Sequence, residues 1–116
     1  MPGLSKKATI TIASGGTHSS IFGGDGYSLV GLILPAMDST TIQFEVGPQN
    51  TASGMEDVFT NSGTPAAATL GTAATGAKAV AVPEEIGRLA AHGYMRLQVS
   101  AQSGGARTIT GLFAQR

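Results

Sequence analysis

The residue types that most often carry chemistry are thinly spread in this chain. It has two histidines, no cysteine, and seven acidic against seven basic residues among 116. A metal site needs several His, Cys, Asp or Glu side chains converging on one point. His18 stands in a Ser/Gly/Thr loop and His92 beside Gly93, far apart and without ligand-type neighbours. No metal site is expected. A Ser–His–Asp set can be written from Ser19, His92 and Asp57, but no G-x-S-x-G elbow presents a serine nucleophile. Paired carboxylates occur at Glu56–Asp57 and Glu84–Glu85. Adjacent residues on a strand point to opposite faces, so Glu56 and Asp57 make no natural acid/base dyad. Glu84 and Glu85, following Pro83, suit the positive end of a helix. The segment GGDG at 23–26 has the glycines of a cation or phosphate loop. It lacks both the Lys-Ser/Thr of a P-loop and the alternating acids of an EF-hand, and reads as a turn. Asp25 and Asp38 could share a cation with backbone carbonyls, but their spacing does not require it. The chain therefore reads as non-enzymatic, with no catalytic, cofactor-binding or metal-binding residues.

Charge points the same way. Only 12 % of the residues are charged, about half the share of an ordinary soluble domain. Without a Lys/Arg strip to neutralise phosphates, nucleic-acid binding is disfavoured. Lys6 and Lys7 are the only adjacent basic pair. The longest strongly apolar run, 29–34, is far too short to span a bilayer, and no secretory h-region opens the chain. No membrane partner is expected, and synthesis in a cytoplasm is. A surface built from Thr, Ser, Gln, Ala and Gly suits contact with other protein. The thin core, with four Phe, two Tyr and no Trp beside 17 Gly, suggests added burial through self-association or docking.

The elements that position these residues are almost all strands. Residues 1–7 read as a flexible arm ahead of a single domain, 8–116. ATITIA (8–13) alternates as a strand, and 14–26 is a loop with Ile21 and Phe22 as an apolar plug. The run 27–34, YSLVGLIL, is apolar at both parities, as in a strand covered on both sides, and Pro35 stops it. TTIQFEV alternates strictly, with Ile42, Phe44 and Val46 to a dry face and Thr41, Gln43 and Glu45 to a wet one. A short strand is expected at 55–60, with Val58 or Phe59 inward. A loop or two short edge strands follow over 61–78, then a strand at 78–82 with Val80 and Val82 inward. Residues 83–93 are the one helical candidate, of one or two turns. Residues 94–101 put Met95, Leu97 and Val99 inward. QSGGA (102–106) looks like a hairpin turn into the closing strand 107–115, with Ile109 and Phe113 inward. That hairpin would bring Arg96 and Arg107 together as a basic spot, a candidate inter-subunit salt-bridge site. The pattern is all-β, an antiparallel sandwich or barrel of seven to eight short strands with at most one short helix.

The order GYSLVGLILPA, TTIQFEVG, PEEIGRLAAHGYMRLQVSA and RTITGLFAQR resembles small virion proteins of tailed bacteriophages. In these a G-Y/F-x-L-V-G-I-x-M-P-like strand precedes an x-I-T-F-Q-V-like strand. An R-x-I/L-K-L-R-S-G-like strand and a closing R-T-I-T-L-like strand follow. The matches here are 26–35, 41–46, 94–100 and 107–112. The chain departs in the Ala/Thr/Gly-rich stretch 47–78 and in GPQNTASG, where a D-G-T-like turn is usual. The resemblance implies a jelly-roll-like sandwich acting as a capsid cement or decoration protein. Such a protein clamps major capsid subunits from outside the virion, as a dimer or trimer. The expected contact residues are Lys6 and Lys7 in the arm, Thr64 and Lys78 bounding the loop, and Arg96 and Arg107. The alternative is a tail or head-fibre module that recognises a host surface glycan.

Overall fold

The computed structural model describes residues 5–37, 41–58, 67–69, 78–102 and 105–115. In chain order the elements are β1 (Ser5–Ile12), β2 (Phe22–Gly23), β3 (Ser28–Leu34), β4 (Thr41–Gly47), β5 (Glu56–Asp57), β6 (Ala67–Thr69), β7 (Lys78–Ala81), α1 (Glu84–His92), β8 (Tyr94–Gln98) and β9 (Arg107–Ala114). The chain folds back on itself in nested antiparallel pairs: β1 with β9, β2 with β8, β3 with β7, and β4 with β5 and β6. This folded ribbon curls until β3 also meets β9 and β4 meets β8. Two sheets result, β1-β9-β3-β7 and β2-β8-β4-β5 with β6 beside β4. That strand order is a jelly roll, so the expected all-β sandwich is the fold found.

Alternation builds the core. Ile10, Ile12, Ile109 and Phe113 of the first sheet face Ile42, Phe44, Met95 and Leu97 of the second, all buried. Phe22 of β2 meets Phe113 of β9 edge to face, 6.1 Å between centroids, so this contact ties the two sheets together. The expected apolar plug at Phe22 is thus a strand residue. Val58 and Val82 point inward as expected, and Phe59 lies outside the described residues.

Strand β3 departs from its reading as a strand covered on both sides. Its pairing with β9 runs Leu29 to Phe113, then Gly31 to Leu112 and Leu32 to Gly111, skipping Val30. A β-bulge at Val30 therefore shifts the parity of everything after it. Leu29, Leu32 and Leu34 all point into the core, whereas Ile33 is 44 % exposed. The apolar residues at both parities serve one face. Val30 keeps a use for its carbonyl, which accepts the Val82 N–H at 3.1 Å.

Three boundaries also differ. β1 starts at Ser5 rather than residue 8, so Lys6 and Lys7 belong to the sheet, opposite Phe113 and Leu112. The helix runs nine residues, about two and a half turns, longer than expected. Gly87 is the reason it holds. A Cβ there would stand 1.9 Å from the Leu29 carbonyl oxygen, so glycine permits the close approach of α1 to β3 that secures the helix through packing. Finally, β8 and β9 lie in different sheets. They do not pair with each other, so the expected hairpin between them is not formed. The physical cause is that β9 finds its partners on either side in β1 and β3.

Candidate interaction surfaces

The two sheets present contrasting outer faces. On the β1-β9-β3-β7 sheet, the register sets Thr9 against Thr110, Thr11 against Thr108, and Lys7 against Leu112. It continues with Gly31 against Leu112 and Ala81, and Ile33 against Thr110 and Ala79. Among these outward residues Lys7 carries the only charge. The inward parity of β1 buries Ile10 and Ile12, so the T-x-T runs at 9–11 and 108–110 stand as two paired rows of threonine.

The outer face of the other sheet is polar and organised around Glu45. This carboxylate, 5 % exposed, accepts the Arg96 Nε–H at 2.7 Å and lies 3.1 Å from His18 Nε2. Thr17 Oγ1 contacts the other ring nitrogen, Nδ1, at 3.1 Å. Strand β4 carries Glu45 directly between Arg96 of β8 and Asp57 of β5. Facing carboxylates destabilise a strand pair, and Arg96 with His18 offsets this by covering Glu45. The wet face expected for Glu45 is therefore a covered ion-pair network. His18 reaches it because segment 17–19 extends the sheet edge: Val99 N donates to Thr17 O and Ser19 N to Leu97 O, each at 2.9 Å.

The third surface is a groove at the C-terminal end of α1. One basin, about 500 Å³, is lined by Gly23, Asp25, Pro48, Ala91, His92, Gly93 and Tyr94. A second, about 350 Å³, shares Pro48, His92 and Gly93 and adds Val46, Glu56 and Leu89 among others. The GGDG turn builds one wall by capping the helix. Gly24 N donates to Ala90 O at 2.7 Å and Gly26 N to Ala91 O at 3.1 Å, which satisfies carbonyls a helix end would leave open. Asp25 takes a left-handed φ of 52° within this turn. A Cβ on Gly24 would lie 1.9 Å from Tyr27 O, so this motif is a helix cap made of backbone.

The expected contact residues scatter over these surfaces. Lys7 is exposed on the threonine face. Lys6, at the inward parity, holds its ammonium 5.3 Å from the Phe113 ring centre and 5.6 Å from that of Tyr27, a cation–π site within the fold. Arg96 is engaged by Glu45. Arg107 donates to Ala36 O at 2.8 Å and Gly105 O at 2.5 Å. Because these two arginines sit on different sheets, they form no joint basic spot. Lys78 opens β7 opposite Leu34, and Thr64 lies outside the described residues. The residues written as a triad are apart as well. Ser19 is buried, accepting from Leu97 N at 2.8 Å and donating to Ser20 O, while His92 lines the groove without Ser19 or Asp57. Among the described residues, no three His, Cys, Asp or Glu side chains are placed to hold a metal, and no helix is long and apolar enough to cross a membrane. The groove was missed from sequence because its walls come from four separate segments, although GGDG and His92-Gly93 were each visible.

No family model matches the chain, and no curated protein matches it. Among solved structures it is similar to the SPBc2 prophage-derived protein YomS, with a TM-score of 0.52 and 14 % identity, covering 97 % of this chain and 96 % of that one. The two share a fold. A chain of the Cyanophage Pam1 capsid asymmetric unit aligns at a TM-score of 0.42 and 14 % identity, over 100 % of this chain and 88 % of that one.

Proposed function

We propose that this chain is a non-enzymatic structural protein of a phage virion. It acts as a cement or decoration protein, binding the outside of the capsid as a dimer or trimer and stabilising contacts between major capsid subunits. The observation that carries this reading is the outer face of the β1-β9-β3-β7 sheet. Paired Thr9/Thr110 and Thr11/Thr108, with Ile33, Ala79, Ala81 and Leu112, lie together on this face, and among the described outward residues of the sheet Lys7 is the one charge. Cementing requires area and shape complementarity, which such a face supplies. A likeness of fold to a prophage-derived protein is consistent with it, as are the sequence motifs shared with tailed-phage virion proteins. The test is to compare particles carrying the protein with particles lacking it. Hundreds of copies per particle, and genome release at lower temperature when the protein is missing, are the expected results. Equal heat resistance would refute cementing, and a dozen copies or fewer would move the protein to a tail or connector.

A further inference from the structure

We infer that the groove at the end of α1 is a docking site for a basic side chain, an arginine guanidinium, presented by a protein partner. The partner's identity rests on the capsid-binding reading above; the chemistry of the groove does not. Two carboxylates, Asp25 in the larger basin and Glu56 in the smaller, line the continuous depression, and no Lys or Arg lines either basin. Neither carboxylate has a hydrogen-bond or ion-pair partner among the described residues, in contrast to Glu45 and Glu84, which are engaged by Arg96 and Arg88. Both are exposed, so the groove presents unpaired negative charge to a partner, whereas the buried carboxylate of Glu45 is neutralised within the fold.

Tyr94 supplies the second half of a cation site. It stands in a cross-strand row between Gly23 and Gly47, so no side chain on either neighbouring strand flanks it. A Cβ at position 23 would meet ring carbons Cδ1 and Cε1 at 3.1 and 3.2 Å. That glycine lets the ring settle against the strand while the remainder of it lines the larger basin. A carboxylate and a partly exposed aromatic ring lining one basin can together hold a guanidinium, by charge-assisted hydrogen bonds and cation–π attraction. Asp25 is preset for this. Its left-handed φ is fixed by the two backbone hydrogen bonds to Ala90 and Ala91 on either side of it, so little ordering is required on binding. Tyrosine and arginine are both among the residue types enriched where protein interfaces concentrate their binding energy.

The experiment titrates the isolated full-length chain with N-acetyl-arginine amide, using N-acetyl-citrulline amide as the uncharged isostere, followed by amide NMR. The expected result is saturable shifts at Gly23, Asp25, His92 and Tyr94 with the arginine probe only, weakening as salt is added. Asp25→Asn keeps the left-handed backbone accessible and should weaken binding about threefold, the effect of one exposed ion pair. Tyr94→Leu should weaken it about threefold. Equal binding of the citrulline probe, shifts outside the groove, or undiminished affinity in Asp25→Asn would each overturn the inference. Because no particle is involved, these failures are separable from failure of cementing, which heating of particles decides alone.

Discussion

Two glycines and one carboxylate show how single residues hold this fold. Gly24 and Gly87 are each placed where a Cβ would come within 1.9 Å of a backbone oxygen. In an exposed helix, alanine in place of Gly87 would gain about 1 kcal/mol of helix propensity. Here the helix would have to retreat from Leu29, and overpacking of this kind costs about 1–3 kcal/mol or more. Gly87→Ala is expected to lose about 2 kcal/mol net by urea denaturation, and a gain would show that α1 does not sit this close to β3. Glu45 is the second case. Removing it leaves Arg96, whose side chain is 18 % exposed, without its acceptor. Glu45→Ala should cost about 3 kcal/mol, and adding Arg96→Ala should recover part of that. The double-mutant cycle measures the coupling, and additivity of the two losses would show that the pair contributes nothing.

At the scale of elements, the bulge in β3 decides more than any residue does. Strict alternation through 28–34 would send Leu29 and Leu32 to opposite faces; the extra residue, Val30, puts both inward. Leu32→Ala should therefore cost about 2–5 kcal/mol, while Ile33→Ser should stay within about 0.5 kcal/mol. Comparable losses at both positions in thermal unfolding would mean that the strand is covered on both sides after all. The same scale explains α1. Pro83 supplies no side-chain cap, so the helix depends on Ile86 and Ala90 being buried against the sheets and on the GGDG turn closing its far end. Gly93 follows in extended conformation, where a Cβ would lie 3.0 Å from Gly47 O. Glycine is used there for close approach.

The whole molecule separates a polar face from a nearly uncharged one. Four strands of up to eight residues span on the order of 500 Å² of flat sheet, short of the roughly 800 Å² that each partner buries in a standard interface. Under the cementing proposal, the threonine face would therefore supply only part of the contact, and neighbouring surface would have to supply the remainder. Ile33→Asp combined with Thr110→Arg should leave the isolated fold intact and reduce occupancy on particles at least about tenfold. Copy number by quantitative gel of purified virions reads this directly. Full occupancy by the double variant would direct attention away from this sheet.

Fold class was legible in the sequence because alternation is a local signal. Ile10 with Ile12, Ile42 with Phe44, Met95 with Leu97, and Ile109 with Phe113 each declare a buried face through spacing alone, and all are buried. The near absence of charge likewise foretold a face like the threonine one. What the sequence could not convey was pairing. Whether Arg96 lies beside Arg107 or beside Glu45 depends on which strands become neighbours after the ribbon curls, and that is set by burial summed over both sheets. The bulge at Val30 was hidden for the same reason, since an unpaired residue is defined only by its partner strand. The groove depended most on tertiary structure. Asp25, Glu56, His92 and Tyr94 are ordinary where they stand in the chain, and they become a site only because the end of a helix, a turn and two strands meet at one corner of the sandwich.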